Sequence, residues 1–119
     1  MFNAFIFVSN IIKKAKQRII LFDNYVDENT LKLFSDKKRC VEIKIYTKNM
    51  TEKLLLGVKK FNQQHNGLVI EKFDKSHDRF LIIDDELYHF GASFKDLGKK
   101  WFAFSKISTD LNVILNNVR

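Results

Sequence analysis

The feature that most constrains the fold is the alternation of helix-periodic segments with short apolar runs. Residues 3–17 carry apolar side chains at helical spacing, whereas Ile19-Ile20-Leu21-Phe22 is an unbroken apolar run. The first pattern is that of an amphipathic helix. The second is typical of a strand that is covered on both faces, as in a parallel sheet. The chain therefore begins as a helix followed by a buried strand.

The same alternation continues along the chain. Asp27 and Thr51 are candidate N-caps for a second and a third helix. Gly67 is a plausible terminator of the third. Strands are predicted at 41–46, 68–73, 80–83 and 87–90, with a hairpin around Asp85-Glu86, and a last helix at about 108–118. The order α-β-α-β-α-β-β-β-α predicts one α/β domain over residues 1–119. We expect a mixed, mostly parallel sheet with helices on both faces.

Charge and composition narrow the partners. Lys and Arg total 21 against 14 Asp and Glu, a formal charge of +7. Such a surface favours anionic partners, above all nucleic acid and DNA in particular. No stretch is apolar for the roughly 20 residues that a membrane span needs. Residues 2–8 lack a basic leader and a cleavage site, and the single Cys40 excludes an internal disulfide or a Cys-rich metal site. We expect a cytoplasmic protein with no membrane partner.

The segment with the clearest chemical potential runs from Ser76 to Asp84 and has the pattern His-x-Arg-x4-Asp. On a strand, His77 and Arg79 would face the same way. Arg79 can hold phosphate oxygens with its planar guanidinium. The His77 imidazole can attack phosphorus or protonate a leaving oxygen. Asp84 lies at odd spacing from His77, which favours a structural ion pair for Asp84 over direct contact with the histidine.

This segment resembles the HKD motif of the phospholipase D-like superfamily, in which His and Lys precede Asp by seven and five positions. Gly91-Ala92-Ser93 follows where that family places Gly-Ser, and the strands at 19–26 and 45–47 extend the resemblance over most of the chain. The block from Ser76 to Lys106 is most similar to phospholipase D-like domains of uncharacterised bacterial mobile-element or phage-type proteins.

The resemblance implies a phosphodiesterase or nuclease that needs neither metal nor cofactor and acts through a phosphohistidine. One copy of the motif implies a homodimer, with His77 as nucleophile in one subunit and general acid in the other. The catalytic set would be His77, Arg79 and Asp84. Arg79, Ser93 and Lys95 would bind phosphate.

Three departures from the family pattern keep a second interpretation open. Arg79 replaces Lys, Ala92 stands in the usual Ser position, and no acid between Leu97 and Thr109 matches the residue that orients histidine in related nucleases. The alternative is a degenerate, non-catalytic module that binds nucleic acid or only dimerises.

Other side chains are weaker candidates. A metal site of His77, His89 and Asp84 matches no standard ligand spacing. His65 lies near the end of a predicted helix and is expected to meet solvent or the last carbonyls. The aromatic cluster Trp101, Phe102 and Phe104 can stack bases. Such a cluster more commonly belongs to a core or a dimer interface.

Overall fold

The fold was analysed in a computed structural model, which describes residues 4–75, 78–91, 104–107 and 114–116. Three helices and six strands have the following bounds: α1 Ala4–Lys14, β1 Arg18–Phe22, α2 Glu28–Lys32, β2 Glu42–Thr47, α3 Glu52–Gln64, β3 Leu68–Lys72, β4 Arg79–Ile83, β5 Glu86–Phe90 and β6 Phe104–Ile107. The predicted helices and strands up to β5 are all present. β6 was not predicted.

All six strands form one mixed sheet in the order β3-β2-β1-β4-β5-β6. β1–β2 and β2–β3 pair in parallel, whereas β1–β4, β4–β5 and β5–β6 pair antiparallel. The predicted mixed α/β sheet is confirmed, with a smaller parallel share than expected. The reason is that β4 lies antiparallel to β1, forms a hairpin with β5, and is followed in the sheet by the antiparallel pair β5–β6.

One face of the sheet carries the three helices. Alternate residues of β1, β2 and β4 point to this face, among them Leu21, Ile45 and Leu81. They pack against buried side chains of α1, α2 and α3, including Ile12, Leu31, Leu54 and Phe61. β1 lies in the middle of the sheet. Burial under the helices therefore accounts for the half of its apolar run that points to this face, Ile19 and Leu21.

The other face has a smaller apolar cluster. Phe22, Ile82, Leu87 and Leu115 are buried in it, and the Phe22 and Tyr46 rings stack with centroids 4.8 Å apart. Residues 114–115 are helical. The described part of the C-terminal tail therefore covers this face, which agrees with helices on both sides of the sheet.

Helix starts follow the local sequence closely. The Asp27 side chain accepts the Thr30 backbone N–H, and the Thr30 hydroxyl accepts the Asp27 N–H, which completes a capping box for α2. Thr51 caps α3 through the Leu54 N–H. After α3, Asn66 and Gly67 both have positive φ, 65° and 76°. A left-handed turn, rather than Gly67 alone, thus ends the helix and begins β3.

Candidate functional site

The parallel strands end at one edge of the sheet, which we call the carboxyl edge. Asp23 directly follows β1 there, and Thr47 is the last residue of β2. Phe73 directly follows β3, and its N–H donates to the Thr47 carbonyl. β4 runs antiparallel to β1 and pairs Phe80 with Phe22, so Arg79 begins its strand at the same edge. In open α/β sheets this is the edge at which ligands bind.

Arg79 is half-buried and is the first residue of β4, one residue before the predicted start of this strand. Its guanidinium carbon lies 6.0 Å from the centroid of the Tyr25 ring, a cation–π distance. Within the described residues, no carboxylate forms an ion pair with Arg79. Among the described residues, its guanidinium is thus in contact with an aromatic ring rather than with a carboxylate.

Asp23 fixes the loop that carries Tyr25. The Asp23 side chain is almost fully buried, and its Oδ1 accepts the Tyr25 backbone N–H at 3.0 Å. An Asp that bonds to the backbone two residues on forms an Asx turn. Asp23 therefore sets the position of Tyr25, and the Tyr25 ring in turn sets the position of Arg79.

Strand register brings three polar residues side by side. One position beyond the last paired residues, Asp23 lies between Thr47 on β2 and Arg79 on β4, on the helix-covered face. The Thr47 hydroxyl is buried and has no hydrogen-bond partner among the residues the structure describes. Neither Asp23 nor Thr47 was predicted as a site residue, because only the register of three strands brings them to Arg79.

Asp84 lies at the opposite edge of the sheet. It follows β4 with φ of 54°, and its carboxylate accepts the backbone N–H groups of Lys16, Gln17 and Arg18. The length of β4, about 13 Å from Arg79 to Ile83, separates Asp84 from Arg79. The structure therefore does not bring Asp84 together with Arg79. Its contacts hold the chain that enters β1, and they are backbone hydrogen bonds rather than the predicted ion pair.

The surroundings of Asp84 favour its charged form. Burial alone would raise the pKa of this carboxyl group. The three backbone N–H donors and the charge of Lys16 outweigh burial, so the pKa of Asp84 lies below its ordinary value.

Three predicted site residues, His77, Ser93 and Lys95, lie outside the described residues. Trp101 and Phe102 lie outside them as well, and Phe104 is described only as the first residue of β6. Their predicted roles stay predictions. The described neighbours of His77 in sequence are Lys75, which follows β3, and Asp78, which precedes β4. Of the predicted set, the structure therefore assigns only Arg79 to the carboxyl edge and Asp84 to the opposite edge.

His89 is paired with Asp78 at 3.5 Å, and its ring lies 5.4 Å from that of Phe80. In the β4–β5 hairpin, His89 is opposite Phe80, whereas Asp84 lies beyond Ile83 at the far end. His89 and Asp84 therefore do not share a metal site. In the described part of the chain, no group of three metal-ligating side chains is found.

The fold is similar to two solved structures. NucT from Helicobacter pylori superposes with a TM-score of 0.61 at 14% identity, over 97% of this chain and 82% of that one. TrmBL2, an archaeal chromatin protein with a novel mode of DNA binding, gives a TM-score of 0.57 at 19% identity, over 98% of this chain and 46% of its own. The chain thus spans about half the length of TrmBL2. At these identities the likeness concerns the fold alone.

Comparison by sequence gives no assignment. No family model matches the chain, and no curated protein matches it. Within the described ranges, none of the helices has the length and apolar character needed to cross a bilayer.

Proposed function

We propose that this chain is a phospholipase D-like phosphodiesterase that cleaves nucleic acid, with His77 as nucleophile and Arg79 as the phosphate-binding residue. The observation that carries the proposal is the state of Arg79. It begins β4 at the carboxyl edge, rests on the Tyr25 ring and has no carboxylate partner among the described residues. An arginine in this setting can bind the oxygens of a phosphodiester with its planar guanidinium.

The proposed reaction has two steps. An imidazole nitrogen of His77 attacks phosphorus, and the bond from phosphorus to the leaving oxygen breaks. That oxygen takes a proton from the imidazolium of the partner subunit's His77. Water then attacks the phosphorus of the phosphohistidine and gives a proton to the same imidazole of the partner subunit. The bond from phosphorus to the His77 nitrogen breaks, which releases the phosphomonoester and restores His77. Arg79 neutralises the charge that develops on the phosphate oxygens. Asp84 acts from the opposite edge, by holding the β4–β5 turn against the start of β1.

A second copy of the chain has a surface on which to dock. Most of the exposed large apolar side chains belong to segments near the carboxyl edge, and we call this set the apolar rim: Phe5, Ile6, Tyr25, Leu55 and Leu56. Tyr25 follows β1, and the two leucines lie in the first turns of α3, which starts shortly after β2 ends. α1 ends beside the start of β1, so its first turn points back to the carboxyl edge. Two apolar rims in contact would bring two carboxyl edges together.

A nucleic-acid-binding module without catalysis is the alternative function. The formal charge of +7 supports it, as does the fold likeness to TrmBL2. In that case Arg79 would hold backbone phosphates, and affinity for DNA would fall steeply with salt, with no cleavage.

The deciding experiment is hydrolysis of single-stranded DNA, double-stranded DNA and a small aryl phosphodiester in the presence of EDTA. We expect wild type to cleave at least one of them and His77→Ala to be inactive. Arg79→Gln should lose about 100-fold in kcat/KM, since one charge-stabilising donor contributes on that order. Arg79→Lys, which restores the residue usual in the family, should keep most of the activity.

A matched control is Lys48→Gln, which removes an exposed cation that follows β2. This variant should bind DNA somewhat less tightly and cleave the small phosphodiester as wild type does. Cleavage of equal rate in wild type and His77→Ala would contradict the mechanism. Salt-dependent DNA binding with no cleavage of any substrate would favour the alternative.

A further inference from the structure

The edge of the sheet opposite the carboxyl edge carries a separate basic pocket. It has a volume of about 370 Å³ and lies between the chain that enters β2 and the turn that joins α3 to β3. Its described lining contains two cations, one histidine and four side-chain amides: Lys37, Arg39, Asn62, Gln63, Gln64, His65 and Asn66. The pocket is therefore rich in hydrogen-bond donors, and none of its described lining residues is acidic.

Lys37 is the unusual member of this set, because its side chain is only 8% exposed. Lysine is almost never buried to this degree unless its charge is paired. Among the described residues, the hydrogen-bond partners of the ammonium are neutral oxygens, namely the carbonyls of Lys38 and Arg39 and the side-chain oxygen of Asn66, each at 3.4 Å. Charge-assisted hydrogen bonds have lengths of about 2.7–2.9 Å. The buried cation is thus weakly held.

The direction of the pKa shift of Lys37 agrees with this geometry. Burial lowers the pKa of Lys37 below its ordinary value, and the nearby Cys40 acts in the other direction. In the described residues, no Asp or Glu forms an ion pair with Lys37. A buried charge without a partner of opposite sign destabilises the fold, and an anion that reaches it recovers part of that cost.

We propose that this pocket, which we call the Lys37 pocket, binds a phosphate oxyanion. Lys37 supplies the central charge, and Arg39 supplies a second one at the mouth. The exposed amides of Gln63 and Gln64 can add neutral donors. Asn62 is committed to the fold, because its side chain both donates to and accepts from the Leu68 backbone at 2.8 Å. The pocket is distinct from the carboxyl edge, so it does not depend on the proposed catalysis.

The phosphate has two possible sources, the backbone of a bound nucleic acid and a free phosphate or phosphomonoester. Inorganic phosphate probes the shared chemistry. The thermal midpoint is measured for wild type, Lys37→Met, Arg39→Gln and Lys59→Met, with added phosphate or with chloride at equal ionic strength. Lys59 is an exposed lysine of α3 outside the pocket lining, so its loss is the matched control.

We expect phosphate to raise the midpoint of wild type and Lys59→Met, because a ligand that binds only the folded state stabilises it. The rise should be absent in Lys37→Met and at least halved in Arg39→Gln. Arg39 is exposed, so Arg39→Gln still decides the question if Lys37→Met fails to fold.

A second arm separates the sources. Affinity for a single-stranded DNA oligonucleotide is measured by fluorescence anisotropy at several salt concentrations. A salt slope that falls by about one in Arg39→Gln, beyond any change in Lys59→Met, assigns the phosphate to a nucleic acid. A lost phosphate response with an unchanged slope assigns it to a free anion. Equal phosphate responses and equal slopes in all four proteins would overturn the proposal.

Discussion

Asp84 explains the spacing of the His-x-Arg-x4-Asp segment. Arg79 opens β4 at the carboxyl edge, and Asp84 follows its last residue at the other edge. The spacing is therefore that of a five-residue strand with Arg79, the proposed phosphate-binding residue, at one end and a turn residue at the other. Asp84 tolerates a positive φ, as Asp and Asn do more readily than most residues. Its carboxylate meanwhile collects three backbone N–H groups.

Asp84→Asn isolates the charge, because Asn tolerates the same backbone conformation. We expect the free energy of unfolding at neutral pH to fall by about 2 kcal/mol, the scale of hydrogen bonds to a charged group. Since the folded-state pKa is lowered, the stabilisation by Asp84 is present above its ordinary pKa near 3.8 and is lost as the pH falls through the folded value. Urea denaturation from neutral pH down to pH below about 4 measures this loss.

The matched control for Asp84→Asn is Asp85→Asn. The Asp85 carboxylate of wild type is 95% exposed and lies 3.7 Å from the Arg18 guanidinium. An exposed pair of this kind contributes little. Asp85→Asn should therefore retain the stability of wild type and its acid dependence. The account of Asp84 is wrong if Asp84→Asn loses stability in acid as steeply as wild type does.

At the scale of elements, the attachment of β6 depends on a polar link as well as on the sheet. Tyr88 on β5 donates to one oxygen of Glu86 at 2.9 Å, and Lys106 on β6 donates to the other at 2.9 Å. Burial, with help from Glu86, raises the pKa of Tyr88 to about 12. The lysine and tyrosine donors lower the pKa of Glu86. The link thus joins β5 to β6, the outermost strand on that side of the sheet.

Glu86→Gln should lower the pKa of Tyr88 only in part, because burial is the larger cause. In an absorbance titration of tyrosinate, we expect the latest of the three tyrosine steps to move to lower pH in Glu86→Gln and to vanish in Tyr88→Phe. A raised folded-state pKa stabilises the fold below pH about 10, and this contribution is lost as the pH rises through about 12. Glu52→Gln, at the exposed start of α3, is the control. An identical late step in wild type and Glu86→Gln would rule out the link.

The sequence predicted elements well wherever local chemistry decides them. Asp27 and Thr51 cap their helices because the capping side chain and the N–H it bonds are three residues apart. β6 was missed because four residues next to an aromatic cluster carry too little alternation, and its assignment depends on pairing with β5. The roles of Asp23 and Thr47 also escaped prediction. Both depend on the register of strands that are distant in sequence.

At the scale of the whole molecule, the placement of exposed apolar side chains is uneven. The apolar rim gathers near the carboxyl edge, whereas Val69, on the outer strand β3, is the other large apolar side chain that is strongly exposed in the described residues. Exposed apolar patches of this kind mark interaction surfaces. Under the proposed function a single motif would need a second histidine, which a second copy docked on the apolar rim would supply.

Leu55→Glu tests whether the apolar rim joins two chains. A carboxylate in an apolar interface is costly, so we expect self-association to weaken at least about ten-fold, which corresponds to about 1.4 kcal/mol. Sedimentation at several concentrations measures this change. Hydrolysis should fall in proportion to the dimer and recover as protein concentration rises, because the proposed site needs two His77 residues. Val69→Glu places the same charge on β3, away from the apolar rim. This variant should leave the self-association and the hydrolysis rate unchanged. Full hydrolysis by a monomer would show that one chain contains all the groups the reaction needs.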